Sequence, residues 1–188
     1  MNMKLFLVSL LFSITTGASA QDKIPATDKS PMDMSYCPAN YPILKVQDKL
    51  NEPLVARLVY SRPAKDGRKI FGELIEFGKV WRAGANEATE IEFYQDVLIS
   101  NVRVKKGRYT IYTIPFEDKW TFILNKETDT WGSFRYDSKK DLVRLDVPVS
   151  KQTTETEFFT MYFEKDNKEI KLQILWDDIK VTVPVSLP

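Results

Sequence analysis

The chain has 188 residues, with 27 lysines and arginines, 26 aspartates and glutamates, one cysteine and no histidine. The lack of histidine excludes Ser-His-Asp and Cys-His catalytic machinery, imidazole metal ligands and an imidazole pH switch. A single cysteine excludes an intrachain disulfide and a cysteine-rich zinc site. The net charge of +1 argues against a nucleic-acid partner, because nucleic-acid binders carry a basic excess on one face.

Residues 1–20 are predicted to be a secretory signal peptide and not part of the fold. Lys4 supplies the positive charge, residues 5–14 are apolar, and a small-residue cleavage motif ends at Ala20. The apolar run is too short for a membrane span, which needs about 20 residues. We therefore expect cleavage after Ala20 and a mature protein that is periplasmic or secreted.

Residues 21–42 are predicted to form an extended, proline-containing leader, because proline cannot donate a hydrogen bond within a central strand. The leader carries Met32, Met34 and Cys37, whose soft sulfur atoms could hold Cu(I) in an exported protein. Since no histidine supports such a site, we favour these residues as apolar anchors that pin the leader to the domain. We expect no metal and no cofactor.

Residues 43–188 are predicted to form a single, mainly β domain, an antiparallel β-sandwich of jelly-roll-like or barrel-like form. Apolar residues recur with period two, which one-sided burial of a strand requires. About nine short strands at this spacing are typical of a sandwich or barrel. The predicted strands cover residues 54–60, 89–93, 97–99, 102–104, 108–114, 120–124, 143–147, 156–164, 170–176 and 179–185.

Three details refine this prediction. The stretch 156–164 is apolar on both faces, which predicts a central strand covered on both sides. Turns predicted at 166–167 and 177–178 would make residues 156–185 a three-stranded antiparallel meander. Residues 70–77 are the one stretch that resembles a short helical segment.

Two pairs of charged residues alternate with apolar residues along predicted strands. Glu90 and Glu92 could chelate a hard cation or act as an acid/base pair. Arg144 and Asp146 lie in a similar pattern. We favour a solvated sheet face for both pairs, because alternating charge is typical of the outer side of a strand.

Segment 61–89 departs from the strand pattern and is the candidate binding loop. It holds guanidinium, amide and carboxylate groups around four of the seven glycines, and long ordered loops often carry binding sites. Arginine recognises carboxylates or phosphates through two hydrogen bonds. The alternative is a structural crossover, in which an Arg82–Glu87 pair and Asn86 satisfy the loop backbone. The candidate ligand-binding residues are Arg62, Arg68, Trp81, Arg82, Asn86, Glu87, Trp131 and Tyr136.

Five motifs carry a resemblance to a known family. They are SRPAKDGRKIFG at 61–72, GKVWRAGANEAT at 78–89, KGRYTIYTIP at 106–115, WTFILNK at 120–126 and WGSFRYD at 131–137. Over roughly residues 32–185 the chain resembles the bacterial exported family catalogued as domain of unknown function twenty-nine eleven. The resemblance implies export, and it brings no established reaction.

Two hypotheses of different classes follow. The first is a non-catalytic exported module that binds a small ligand, glycan or envelope protein through segment 61–89, with Trp81, Trp131 and Tyr136 as aromatic platforms. The second is a histidine-free hydrolase or lyase with Glu87 as acid/base and Arg82 as stabiliser. The first is favoured, because a nearby arginine would lower the carboxyl pKa that acid/base work needs raised. A purely structural envelope role is a third possibility.

Overall fold

The computed structural model describes residues 25–166 and 169–188. The predicted signal peptide and the start of the predicted leader lie outside the described residues. Across these two described ranges, no helix is long and apolar enough to span a membrane.

The described residues form nine strands, one short α-helix and one turn of 3-10 helix, so the prediction of a mainly β chain is confirmed. The strands are β1 (Met32–Cys37), β2 (Ala56–Ser61), β3 (Glu90–Phe93), β4 (Val97–Ile99), β5 (Val102–Val104), β6 (Gly107–Pro115), β7 (Lys119–Asn125), β8 (Asp141–Asp166) and β9 (Glu169–Ser186). Helix α1 (Tyr41–Val46) lies between β1 and β2, and the 3-10 helix (Ser138–Lys140) precedes β8.

The strands form one open antiparallel sheet in the order β1-β2-β3-β6-β7-β8-β9-β4-β5. The long strand β8 belongs to both halves of this sheet. Its first part pairs with β7, as in Trp120↔Val147, and its last part pairs with β9, as in Phe163↔Leu172. The apolar faces of the two halves share one core, which is the sandwich arrangement that the period-two pattern predicts.

The core is built from alternate residues of neighbouring strands. Trp120, Phe122 and Leu124 of β7 are buried, as are Ile174 and Trp176 of β9. Successive side chains of a strand point to opposite faces, and on the other face of β7 Ile123 is also buried, in a small second cluster with Ala88 and Tyr112. Each fully buried apolar side chain of this size contributes about 1.5–3 kcal/mol.

The charged residues on the outer side of the strands form ion pairs, three of them between strands and one, Arg144–Asp141, within β8. These pairs are Arg57–Glu92 at 2.7 Å, Arg108–Glu90 at 3.4 Å, Lys119–Asp146 at 2.6 Å and Arg144–Asp141 at 2.8 Å. The side chains of Asp146 and Arg144 are 52% and 45% exposed, as the solvated-face interpretation predicts, whereas Glu90 is only 19% exposed and also accepts from the Asp129 amide at 2.6 Å.

Strands β8 and β9 are much longer than the sequence pattern suggests. They pair as antiparallel neighbours up to Asp166↔Glu169, on either side of the predicted turn at 166–167, of which residue 167 lies outside the described residues. The predicted turn at 177–178, and with it the third strand of the meander, is wrong. Strand β9 continues through Asp177 without reversing, and residues 152–155 of β8 bulge outward between the pairs Lys151↔Ile179 and Thr156↔Asp177. Asp177 has a φ of 56°, a left-handed conformation that aspartate tolerates better than most residues. A bulge therefore forms where a turn was predicted.

Two further details of the sequence prediction are corrected. The strand stretch 156–164 is covered on one side only, since Phe158 is 46% exposed. The short helix lies at Tyr41–Val46 and not at 70–77, where no helix forms. Gly72 has a φ of +88°, which is incompatible with a right-handed helix, whereas Pro42 occupies the first turn of α1, where proline is tolerated.

The sheet begins within the span predicted as a leader. Strand β1 pairs with β2 from Met32↔Ser61 to Cys37↔Ala56, and its flanking prolines lie just outside the strand. Cys37 is buried, whereas Met32 and Met34 are each 53% exposed and point to the opposite face. The three sulfur atoms therefore do not converge, and the described residues contain no cluster of three or more acidic or cysteine side chains able to hold a metal.

Candidate functional site

A cavity of about 950 Å³ lies where three parts of the chain meet. These parts are the loop 65–77, the turn between β6 and β7, and the bulged region of β8 and β9. The residues that line the cavity are Lys65, Gly67, Arg68, Lys69, Phe71, Gly72, Phe77, Phe116, Glu117, Trp120, Lys151, Glu155, Asp177, Asp178 and Ile179. Its volume is at the upper end of the range of roughly 300–1,000 Å³ that is usual for small-molecule sites.

Aromatic side chains form one side of the cavity. The ring of Phe71 lies 5.1 Å from the ring of Trp120, which is buried and anchors the loop to the core. Phe77 and Phe116 are 36% and 37% exposed. The cavity therefore presents apolar surface that the fold itself does not cover, and such surface usually marks a binding site.

The ring of Phe77 is held by a glycine turn. Gly72 has a φ of +88°, and a methyl group at its Cα would lie 3.0 Å from Cε2 of Phe77. The backbone amide of Gly72 donates to the carbonyl oxygen of Ile75 at 2.9 Å, which closes the turn. Only glycine combines this conformation with this close approach, so the turn sets the position of Phe77.

The other side of the cavity is polar, and Lys65 is its centre. The Nζ atom of Lys65 donates to Oδ1 of Asp177 and to Oε2 of Glu155, each at 2.6 Å. These two hydrogen bonds, the bond to Asp177 first, raise the pKa of the Lys65 ammonium above its usual range. Because Asp177 and Glu155 come from the two sides of the bulge, Lys65 ties the loop to both long strands.

The remaining charges around the cavity are balanced. Four basic and four acidic side chains line it. Lys151 pairs with Asp178 at 2.6 Å, whereas Glu117 and Arg68 make no ion pair within the described residues. Arg68 instead donates from Nε to the carbonyl oxygen of Lys65 at 3.0 Å. The lining thus offers many hydrogen-bonding groups without a net charge.

Of the eight residues predicted to bind a ligand, Arg68 is the one that lines the cavity. Arg62 links strands β1 and β8 through hydrogen bonds to both. It donates to Asp33 at 2.9 Å, to the Thr160 hydroxyl at 2.9 Å and to the Phe159 carbonyl oxygen at 3.2 Å. Its guanidinium is therefore engaged in holding two strands together.

Trp81 is a core residue beneath the cavity. It is 5% exposed, and its ring stacks on Trp176 with centroids 5.9 Å apart and meets Phe71 edge to face at 6.3 Å. Its Nε1 atom donates to the Gly84 carbonyl oxygen at 3.0 Å. Trp81 supports the aromatic side of the cavity and offers no platform to a ligand.

Arg82, Asn86 and Glu87 belong to a different surface. Loop 80–89 lies beside loop 130–136, and we call the two together the loop pair. Within the described residues Arg82 and Glu87 form no ion pair, and the buried Nε atom of Arg82 has no hydrogen-bond partner. Burial lowers the pKa of the Arg82 guanidinium. Asn86 has a φ of 59° and accepts from the Gly132 amide through its carbonyl oxygen at 2.8 Å.

The last two predicted residues also lie in the loop pair. Trp131 is 60% exposed and forms an isolated antiparallel bridge with Glu87. Tyr136 donates from its hydroxyl to Oδ2 of Asp141 at 2.6 Å and accepts from Arg144 at 2.8 Å. Burial, together with the hydrogen bond to Asp141, raises the pKa of Tyr136 to about 12. This network anchors the loop pair to β8.

The family model for a protein of unknown function, DUF2911, matches residues 43–185. The chain belongs to the DUF2911 family. The resemblance carried by the five sequence motifs is thereby confirmed. No curated protein and no solved structure matches the chain.

In this DUF2911 chain, the local sequence pattern does not mark several of the residues that line the cavity. Lys65, Phe77 and Phe116 lie outside the strands, and nothing in their local pattern distinguishes them from surface residues. Glu155 and Asp177 are far apart in sequence and meet only because β8 and β9 pair. One signal in the sequence is the pair Asp177 and Asp178, which interrupts the alternation of apolar and polar residues along β9.

Proposed function

We propose that this protein is a non-catalytic binding module, exported to the periplasm or the exterior, that takes a small ligand in the cavity. The observation that carries the proposal is a cavity with exposed aromatic surface on one side and balanced charges on the other. The predicted binding segment 61–89 supplies seven of its lining residues. Concave sites in which aromatic surface is combined with placed polar groups are typical of small-molecule binding.

The geometry favours binding over catalysis by Glu87 and Arg82. A hydrolase or lyase built on Glu87 and Arg82 needs both side chains at one concave surface. Neither lines the cavity, and Glu87 is exposed. The two carboxylates that do converge there, Glu155 and Asp177, are both engaged in ion pairs with the ammonium of Lys65.

The proposal is tested by a thermal-shift screen with oligosaccharides, amino acids, dipeptides and nucleosides. Wild type is compared with Phe77→Ala, which removes cavity surface, and with Phe134→Ala, which removes an 86% exposed ring outside the cavity. We expect at least one class to raise the melting temperature of wild type and Phe134→Ala but not of Phe77→Ala, because a ligand stabilises the state that binds it. No shift with any class contradicts the proposal, and so does chemical conversion of the bound compound, detected by mass spectrometry.

A further inference from the structure

We infer that the ligand is a neutral oligosaccharide, an inference that rests on the proposed binding function of the cavity. The first observation is the charge balance. Basic and acidic side chains line the cavity in equal number, so a charged ligand gains no net attraction there. A charged ligand would also compete with an existing ion pair such as Lys65–Asp177, in which each side chain is only 16% exposed, and would leave one partner of that pair without compensation.

The second observation is the chemistry of the polar side. Lys65 has three N–H donors and gives two of them to Asp177 and Glu155. Each of these carboxylates keeps an oxygen that has no partner among the described residues. A ligand that fits must therefore donate to carboxylates and accept from an ammonium within a short span. A hydroxyl group does both, and adjacent hydroxyl groups on a sugar ring supply this pattern repeatedly.

The third observation is the aromatic side facing those polar groups. Phe77 and Phe116 keep about a third of their surface exposed at the rim of the cavity. A sugar ring has an apolar face of C–H groups and a rim of hydroxyl groups. The apolar face can pack against the phenyl rings, while the hydroxyl groups hydrogen-bond with Lys65 and its two carboxylate partners. Aromatic rings combine a large apolar surface with a defined orientation, and the turn at Gly72 supplies that orientation for Phe77.

A peptide ligand fits these observations less well. Extended peptides usually bind by adding a strand to an open sheet edge. At the cavity, β8 and β9 pair with each other on either side of the bulge, as in Lys151↔Ile179 and Thr156↔Asp177, so they do not offer a peptide a continuous free edge between them. The size of the cavity, about 950 Å³, leaves room for more than one sugar ring.

Calorimetric titration with cellotriose, maltotriose and triacetylchitotriose tests the inference, with trialanine and a nucleoside as non-saccharide probes. We expect at least one trisaccharide to bind, and more tightly than its monosaccharide. Phe77→Ala should weaken its affinity about tenfold, the effect of losing one aromatic contact, and Phe134→Ala should leave it unchanged. Lys65→Met should weaken it by a similar factor, whereas Lys140→Met, which removes a lysine paired with Glu127 outside the cavity, should not.

The outcomes separate the inference from the function on which it rests. If trialanine or the nucleoside binds in a manner that depends on Phe77, and no trisaccharide binds, the inference is overturned and the binding function stands. If no probe of any class binds, both are overturned. Trisaccharide binding that Phe77→Ala leaves unchanged also overturns the inference, because the sugar is then held elsewhere. Should Lys65→Met fail to fold, the comparison of Phe77→Ala with Phe134→Ala still decides.

Discussion

The cavity and the loop pair use similar residue types in opposite ways. In the loop pair, Asn86 and Tyr136 satisfy neighbouring groups of the protein, and the most exposed ring, Phe134, lies beside Gly132 on an open surface. In the cavity, aromatic and charged side chains from three separate parts of the chain face a shared space. Polar residues gathered in one loop are therefore weaker evidence for a site than side chains brought together by the fold.

The largest expected effect is a difference in stability between variants of Trp81 and Trp131, which the sequence alone predicts to be similar aromatic platforms for a ligand. Trp81→Ala should cost about 3–5 kcal/mol, since it opens a void in a close-packed core, and should lower the melting temperature by about 6–20 °C in a domain of this size. Trp131→Ala, at a 60% exposed position, should change stability by less than about 0.5 kcal/mol. Thermal unfolding of the two variants provides the measurement, and equal losses would contradict the assignment of Trp81 to the core.

The next effect concerns the buried thiol of Cys37. Burial raises its pKa from 9.0 to about 11, so the folded state holds this proton more tightly than the unfolded state. The resulting stability is fully present below pH 9 and is lost as the pH rises towards 11. At pH 10.5 the loss attributable to Cys37 should be about 2 kcal/mol.

Urea unfolding of wild type and Cys37→Ala at pH 8 and pH 10.5 isolates this loss, because other groups that titrate in this range affect both proteins equally. Stability should fall more steeply in the wild type. If the free energy of unfolding fell equally in the two proteins, burial would not be disfavouring the thiolate form of Cys37, and the prediction would be wrong.

A smaller effect tests the turn that positions Phe77. Gly72→Ala should cost about 1–2 kcal/mol from its left-handed backbone, with an added cost because the new methyl group meets the ring at 3.0 Å. Gly67→Ala is the matched control, since Gly67 has a φ of +67° but no atom within 4 Å of the added methyl group. Equal costs for the two variants, measured by chemical unfolding, would rule out the contact with Phe77.

The smallest effect is expected at Arg82, where an ion pair with Glu87 was one interpretation of the sequence. Because no such pair forms and the buried Nε atom lacks a partner, Arg82→Met should leave stability unchanged or raise it by up to about 1 kcal/mol. A double-mutant cycle with Glu87→Gln should give a coupling below about 0.5 kcal/mol. A loss above about 2 kcal/mol, or a clear coupling, would restore the ion-pair interpretation.

The local parts of the fold follow from the sequence. Alternation predicts β7 almost to its ends, and the short connection at 100–101 predicts the β4–β5 hairpin, in which Ile99 pairs with Val102. The continuity of β8 does not follow, because the polar stretch 152–155 reads as a loop. Only pairing with β9 keeps that stretch within a strand, as a bulge.

The site is less predictable than the fold for the same physical reason. Segment 61–89 departs from the strand pattern, and part of it lines the cavity. Within it, Lys65 carries no local signal, since its partners Glu155 and Asp177 lie about ninety and more residues away in sequence. A contact between distant residues depends on register, which a single sequence does not specify when strands are bulged.

The most direct test of the account is a backbone NMR titration of the wild-type protein with the three trisaccharides. We expect chemical-shift changes from at least one of them at Lys65, Phe77, Phe116 and Asp177, with little change at Arg82 or Trp131. Changes concentrated in the loop pair, or none at saturating sugar, would contradict the claim that the cavity is the functional site.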